Sequence, residues 1–287
     1  MKAALRRRIG PRGREALRRL GRLRWRAKYN EARRNGARFR DTPWRLLKFI
    51  LLDPEFDNFT FEVANEAELI QFLASITGVE EKELTRYLAE TRTDPGLTTD
   101  LWRRLRWRLD YKRRPPLGRR ATWYVLARAL KPELAIETGV QDGLGSLAIL
   151  RALARNAAEG RPGRLISIDT LPTAGWLVPA AERHAWELII GSTDDVLPRV
   201  LGAHPVGLFL QDTGGDIELA RRELEIMLPH RLPSTVFVSQ TQRPVLAAIS
   251  RERGMVYREF LHRSRKHVVA SSTTGFASMA QPELEAA

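Results

Sequence analysis

From residue 133 onward, short apolar runs alternate with stretches of helical character. Residues 133–137 and 164–169 read as strands, and so do 186–190, 206–210, 234–238, 255–260 and 266–270. Helical patterns lie between most of them, at 147–156, 176–185, 216–228 and 243–252. Strands that alternate with helices build a mainly parallel sheet covered on both faces. Only residues 261–265 join the last two runs, which permits an antiparallel hairpin and no parallel crossover. The expected fold class is therefore α/β, with five parallel strands closed by a C-terminal hairpin pair. Upstream, residues 41–116 read as mostly helical. Asn65 caps a helix with acids in its first turn that should stop near Gly78, and 80–90 and 98–109 read as two more. Residues 59–63 alternate like a short strand. The expected organisation is an arm at 1–40, a helical region at 41–116, an αβ domain at 117–275 and a tail at 276–287.

The first strand of the αβ domain ends in Glu137. It runs into a loop with glycines at 139, 143 and 145, after which Ser146 opens an Ala/Leu helix. Such a loop lets the backbone press against a ligand lying over the helix N-terminus. A dinucleotide fingerprint needs glycine at its first, third and sixth places, which here hold Gly139, Gln141 and Leu144, so the match fails. A Walker loop is absent as well. The second strand ends in Asp169, 24 positions after Gly145. A carboxylate at about this distance accepts hydrogen bonds from ribose hydroxyls, and can take both at once. An ordinary strand-to-helix turn and a turn-capping aspartate are the plainer readings of the same residues. Ligands of such a sheet sit outside the carboxyl ends of its strands. The candidate binding residues are therefore Glu137, Thr138, Gly139, Val140, Gly143, Gly145, Ser146, Asp169, Thr170, Ser192, Asp194 and Gln211, with Asp212 beside them.

The pattern acid-x-Gly-x-x-x-Gly-x-Gly resembles the first motif of class I S-adenosylmethionine (SAM)-dependent methyltransferases. Its form Glu-Thr-Gly-Val-x-x-Gly is similar to a branch with many bacterial small-molecule and sugar O-methyltransferases. The resemblance implies a Rossmann-like, seven-stranded sheet, SAM as cofactor and Asp169 on its ribose. It also implies in-line transfer of a methyl group to a small-molecule acceptor, above all a hydroxyl of a sugar or secondary metabolite. Two positions depart from the family. Its adenine-binding acid is matched by Ser192, with Asp194 two places on. Where relatives read Asp-Gly-Asp-His, this chain reads Asp212-Thr-Gly-Gly215. Metal-dependent relatives carry an Asp-Asn pair where Gln240 and Thr241 stand here, poor ligands for a hard cation, so no essential metal is expected. Asp212 is the first candidate for general base, and His184, His262 and His267 compete with it. The helical region is expected to cover the acceptor or make a homodimer contact. Two further readings stay open: an RNA-directed methyltransferase, and a catalytically inactive fold that only binds.

Charge changes the picture in one place. Residues 1–40 carry 16 Lys and Arg against 2 acids, and the remaining 247 carry 32 of each sign. The net charge of +14 thus belongs to the arm, which would either lie on an anionic membrane surface or nucleic acid or stay solvated. A second basic cluster at 103–120 offers Arg103, Arg106 and Tyr111 to an anionic substrate, with a solvated amphipathic helix as the alternative. Zero cysteines exclude disulfides and thiolate metal sites. No apolar run reaches the length of a transmembrane helix and no signal-peptide core follows the basic start, so a cytoplasmic location, or a peripheral one at the membrane, is expected. Arginine outnumbers lysine 41 to 7, the bias of a GC-rich bacterial genome.

Overall fold

The computed structural model describes residues 61–106, 117–202, 204–214, 216–240, 242–264 and 271–279. One eight-stranded sheet runs through it in the order β1-β7-β8-β6-β5-β2-β3-β4. The strands are β1 (Phe61–Val63), β2 (Leu134–Thr138), β3 (Arg164–Asp169), β4 (Trp186–Ile190), β5 (Val206–Gln211), β6 (Arg231–Ser239), β7 (Met255–Ser264) and β8 (Ser271–Met279). Strands β2 to β6 pair in parallel, and β8 returns antiparallel between β6 and β7. This is the expected Rossmann-like sheet with its terminal hairpin, extended by one strand, because β1 pairs antiparallel with the outer edge of β7.

The hairpin differs from expectation in register. The apolar pattern puts its second strand at 266–270 and its link at 261–265. Instead β7 continues through Ser264 and β8 occupies Ser271–Met279, across the expected boundary at 275. The cause lies in the run Ser271-Ser-Thr-Thr-Gly-Phe-Ala-Ser-Met279. Its small hydroxyl residues fit a pleated sheet, yet they give no apolar alternation to read from sequence.

Helices cover both faces. On one lie α1 (Glu66–Thr77), α2 (Glu81–Thr93), α3 (Thr99–Leu105), α4 (Arg120–Leu130) and α5 (Leu144–Ala158), whose buried residues form one apolar cluster with Leu208, Leu210, Val236, Val238 and Phe276 of the sheet. On the other lie α6 (Thr193–Leu201), α7 (Ile217–Met227) and α8 (Arg243–Glu252), packed on Ile136, Ile166, Phe209 and Phe237. Asn65 caps α1 by accepting from the Glu68 N–H, and Gly78 ends it in the left-handed conformation, as its sequence predicts. Helix α6 was not anticipated, since Pro198 interrupts its pattern. The expected helix at 176–185 is a set of turns followed by a 3₁₀ segment, Ala180–Ala185.

A buried ionic network fastens α2 to the αβ layers. Glu90 accepts from Tyr124 and Arg128 of α4, and the fully buried Asp94 accepts twice from Arg151 of α5, at 2.9 and 3.1 Å. Arg151 also reaches Glu182, and Arg128 reaches Glu159. The opposite charges are brought out of water together, which is the condition under which buried charge is tolerated.

Candidate functional site

Chain order reverses direction across β2: β3 and β4 add on one side, then β5 and β6 on the other. A crevice opens outside the carboxyl ends at such a switch point. β2 is buried along its whole length, and Gly139 follows it with φ +83°, a conformation that favours glycine. A Cβ there would lie 2.5 Å from the Asp212 carbonyl oxygen, so the loops after β2 and β5 touch backbone to backbone. The Asp212 N–H donates to the Thr138 carbonyl at 2.8 Å.

Asp169 closes the loop from the other side. Its Oδ2 accepts from the N–H groups of Val140 and Gln141 at 2.7 and 2.8 Å, and Oδ1 accepts from the Leu171 N–H at 2.8 Å. The glycine loop and the acid ending β3 therefore meet at one rim. Beneath it Glu137 is buried, its Oε2 accepting from Ser146 Oγ at 2.5 Å and from Ser167 Oγ at 2.7 Å. Burial pushes its carboxyl up to about 7, against the two hydroxyl contacts. Thr138 and Gln211 are buried too. Both donate to Glu223 of α7, as does Thr213, and burial raises the Glu223 carboxyl above the ordinary range. Glu137, Thr138, Ser146 and Gln211 thus brace the rim from below. Gly143 and Gly145 fit close packing: a Cβ would strike Gly175 at the first and Trp123 at the second.

Asp212, on the β5 side, is paired with Arg119 at 3.2 Å, the side chains being 17% and 14% exposed. Arg119 and Arg120 lie where α4 begins, against this rim, and the basic cluster read from sequence had pointed to Arg103 and Arg106 instead. Arg103 is exposed and paired with Asp100, and Arg106 is exposed. Between them Arg104 donates to the Leu177 carbonyl, and the Leu177 N–H donates to the Asp142 carbonyl in the loop. A count of charges could not separate these arginines, because only the packing of α3 and α4 turns some inward.

Of the other expected residues, Thr170 and Ser192 follow the carboxyl ends of β3 and β4 at this rim, while Asp194 and His184 are engaged elsewhere. Asp194 forms a two-pronged pair with Arg222 of α7, at 3.0 and 2.9 Å, so its carboxylate links two helices of the far layer. Ser192 sits half-buried before α6, and Thr170 is exposed. His184 is exposed, two residues before β4, at the amino end of a strand whose carboxyl end faces the rim. Tyr111, Gly215, Thr241 and His267 lie outside the described residues. Missed in the sequence were Leu171 and Ile190, 50% and 46% exposed. Ile190 is the register partner of Asp169, so an apolar edge flanks that acid. Among the described residues no group of three or more His, Asp or Glu could hold a metal ion, and no helix is long and apolar enough to cross a membrane.

A family model described as "Methyltransferase domain" matches residues 136–239, from β2 to the end of β6. Among solved structures, the O-methyltransferase TomG from Streptomyces achromogenes, in complex with SAM, is 17% identical; the match covers 66% of this chain and 91% of that one at a TM-score of 0.48. An O-methyltransferase from Bacillus cereus, in complex with SAH, is 14% identical over 74% of this chain and 97% of that one, at 0.49. No curated protein matches the sequence.

Proposed function

We propose, from a chain whose residues 136–239 are a class I, SAM-dependent methyltransferase domain, that it methylates a hydroxyl of a small-molecule acceptor, of the sugar or secondary-metabolite kind. The observation that carries this reading is the convergence of the glycine loop, Asp169 and Asp212 at one rim of the switch point. The rim suits the cofactor. Asp169 has four lone-pair positions and its backbone contacts use three, so it takes one ribose hydroxyl where the sequence suggested two. Leu171 and Ile190 would flank the adenine with their exposed apolar edges. When bound, SAM supplies a methyl group already activated on a sulfonium.

The protein is left with alignment and a proton. Asp212 stands across the loop from Asp169 and faces the acceptor side. Its pairing with Arg119 holds the carboxylate in place as an anchor for a hydroxyl. Calorimetry with SAM, followed by transfer of labelled methyl to a panel of hydroxyl compounds, tests the proposal. Absence of SAM binding would overturn it in favour of a fold that only resembles the enzymes. Transfer confined to RNA, lost on removing residues 1–40, would redirect it to a nucleic-acid substrate.

A further inference from the structure

Among the described residues, buried polar atoms with no hydrogen-bond partner include Arg119 Nε, Trp123 Nε1 and both ring nitrogens of His262. His262 is fully buried, close to the carboxyl end of β7. It follows Phe260 by two residues, so both side chains point to the face that α1 and α4 cover, where Phe260 meets Phe72 and Phe276. Thr274 is the register partner of Phe260 and donates to the Gln240 side chain at the end of β6. His262 therefore stands about 7 Å beyond the level of Gln240, toward the carboxyl end of the sheet. From β5 to β7 is roughly 14 Å across the sheet, and Arg119 pairs with Asp212 at the β5 end of that span.

We propose that Arg119 and His262 form the recognition end of the acceptor site and bind neighbouring oxygens of a neutral, polyhydroxylated acceptor the size of one sugar ring, whose methylated hydroxyl lies at Asp212. The inference rests on the methyltransferase reading above and names its substrate class. Buried polar groups are ordinarily satisfied, and a bound ligand is one way to satisfy these. Arg119 offers the Nε–H, and Asp212 already balances its charge, so the site calls for a neutral oxygen rather than a carboxylate or phosphate. Burial and the neighbouring Arg119 push the His262 imidazole down to about 4, so at neutral pH it presents one donor and one acceptor. A hydroxyl, itself donor and acceptor, complements it.

The test uses the full-length protein with SAH present, titrated with methyl hexopyranosides as neutral probes and with glucuronate as the acidic one. SAM affinity and thermal stability are measured on the same samples. At least one neutral glycoside is expected to bind and to shift the His262 imidazole nitrogen resonances. Arg119→Lys and His262→Leu should each weaken that glycoside about tenfold or more, with SAM affinity changed less than about twofold. His262→Gln, which keeps a donor and an acceptor, should retain part of the binding and controls for loss of folding. Failure of every glycoside to bind, binding indifferent to both substitutions, or preference for glucuronate would each overturn the inference. Failure of the unaltered protein to bind SAM would instead bring down the methyltransferase reading beneath it.

Discussion

Glu137 shows how a residue read as a ligand contact becomes an internal brace. Its carboxyl is buried between two hydroxyl donors and titrates near 7, above the ordinary 4.5. Because the folded state holds this proton more tightly than the unfolded chain, the associated stability is complete below about pH 4.5. It is lost as pH rises through about 7. Glu137→Gln should flatten this fall, by about 3 kcal/mol in the difference between wild-type and variant unfolding free energies at pH 5 and pH 8, measured by urea denaturation. His262, pushed the opposite way, contributes stability above about 6.5 that is lost as pH falls toward 4, so the comparison must be variant against wild type. Asp169→Ala should weaken SAM by about 1–3 kcal/mol in calorimetry, through the lost ribose contact and the freed N–H groups of Val140 and Gln141. Asp212→Asn keeps the shape while removing charge. Turnover should fall about a hundredfold with SAM affinity nearly constant, and equal losses in both would make Asp212 a cofactor contact.

At the scale of elements, the decisive contact is the backbone approach between the loops after β2 and β5. Gly139→Ala would place a methyl against the Asp212 carbonyl in a left-handed conformation. We expect a loss of about 3 kcal/mol in unfolding free energy and a weaker SAM complex, both readable in one thermal-shift titration. The glycine spacing was legible in the sequence as a loop that permits close approach. What approaches it was not: Gly139 meets the β5 loop, Gly143 meets Gly175 and Gly145 meets Trp123, all from distant parts of the chain. The β7–β8 hairpin was legible as a hairpin, and its register was not, because β8 is built from small hydroxyl residues without an apolar alternation.

For the whole molecule, the question is how the helices before residue 107 relate to the αβ layers. Leu69, Leu73, Leu84 and Leu101 belong to the same apolar cluster as Trp123, Leu147 and Leu208. The ionic network of Glu90 and Asp94 with Arg128, Arg151 and Arg155 joins the two regions through charge. Asp94→Ala leaves two arginines without their buried carboxylate, and should cost about 3 kcal/mol in chemical denaturation. A single unfolding transition shifted to lower denaturant is expected; two separate transitions would mean that the helices fold as a unit of their own.

By itself the sequence determined what depends on local order. It set the alternation of strands and helices, the parallel sheet with its returning hairpin, the cap and stop of α1, and the loop and acid that meet at the rim. Each follows from side-chain periodicity or from a backbone conformation that few residues adopt. Tertiary structure alone decided which charged groups face the rim. Asp194 turns to Arg222, Arg103 to Asp100 and His184 to solvent, while Arg119 turns to Asp212 and His262 is buried in the sheet layer. Pairing and burial of charge are set by neighbours far away in the chain, and no spacing along the sequence records them.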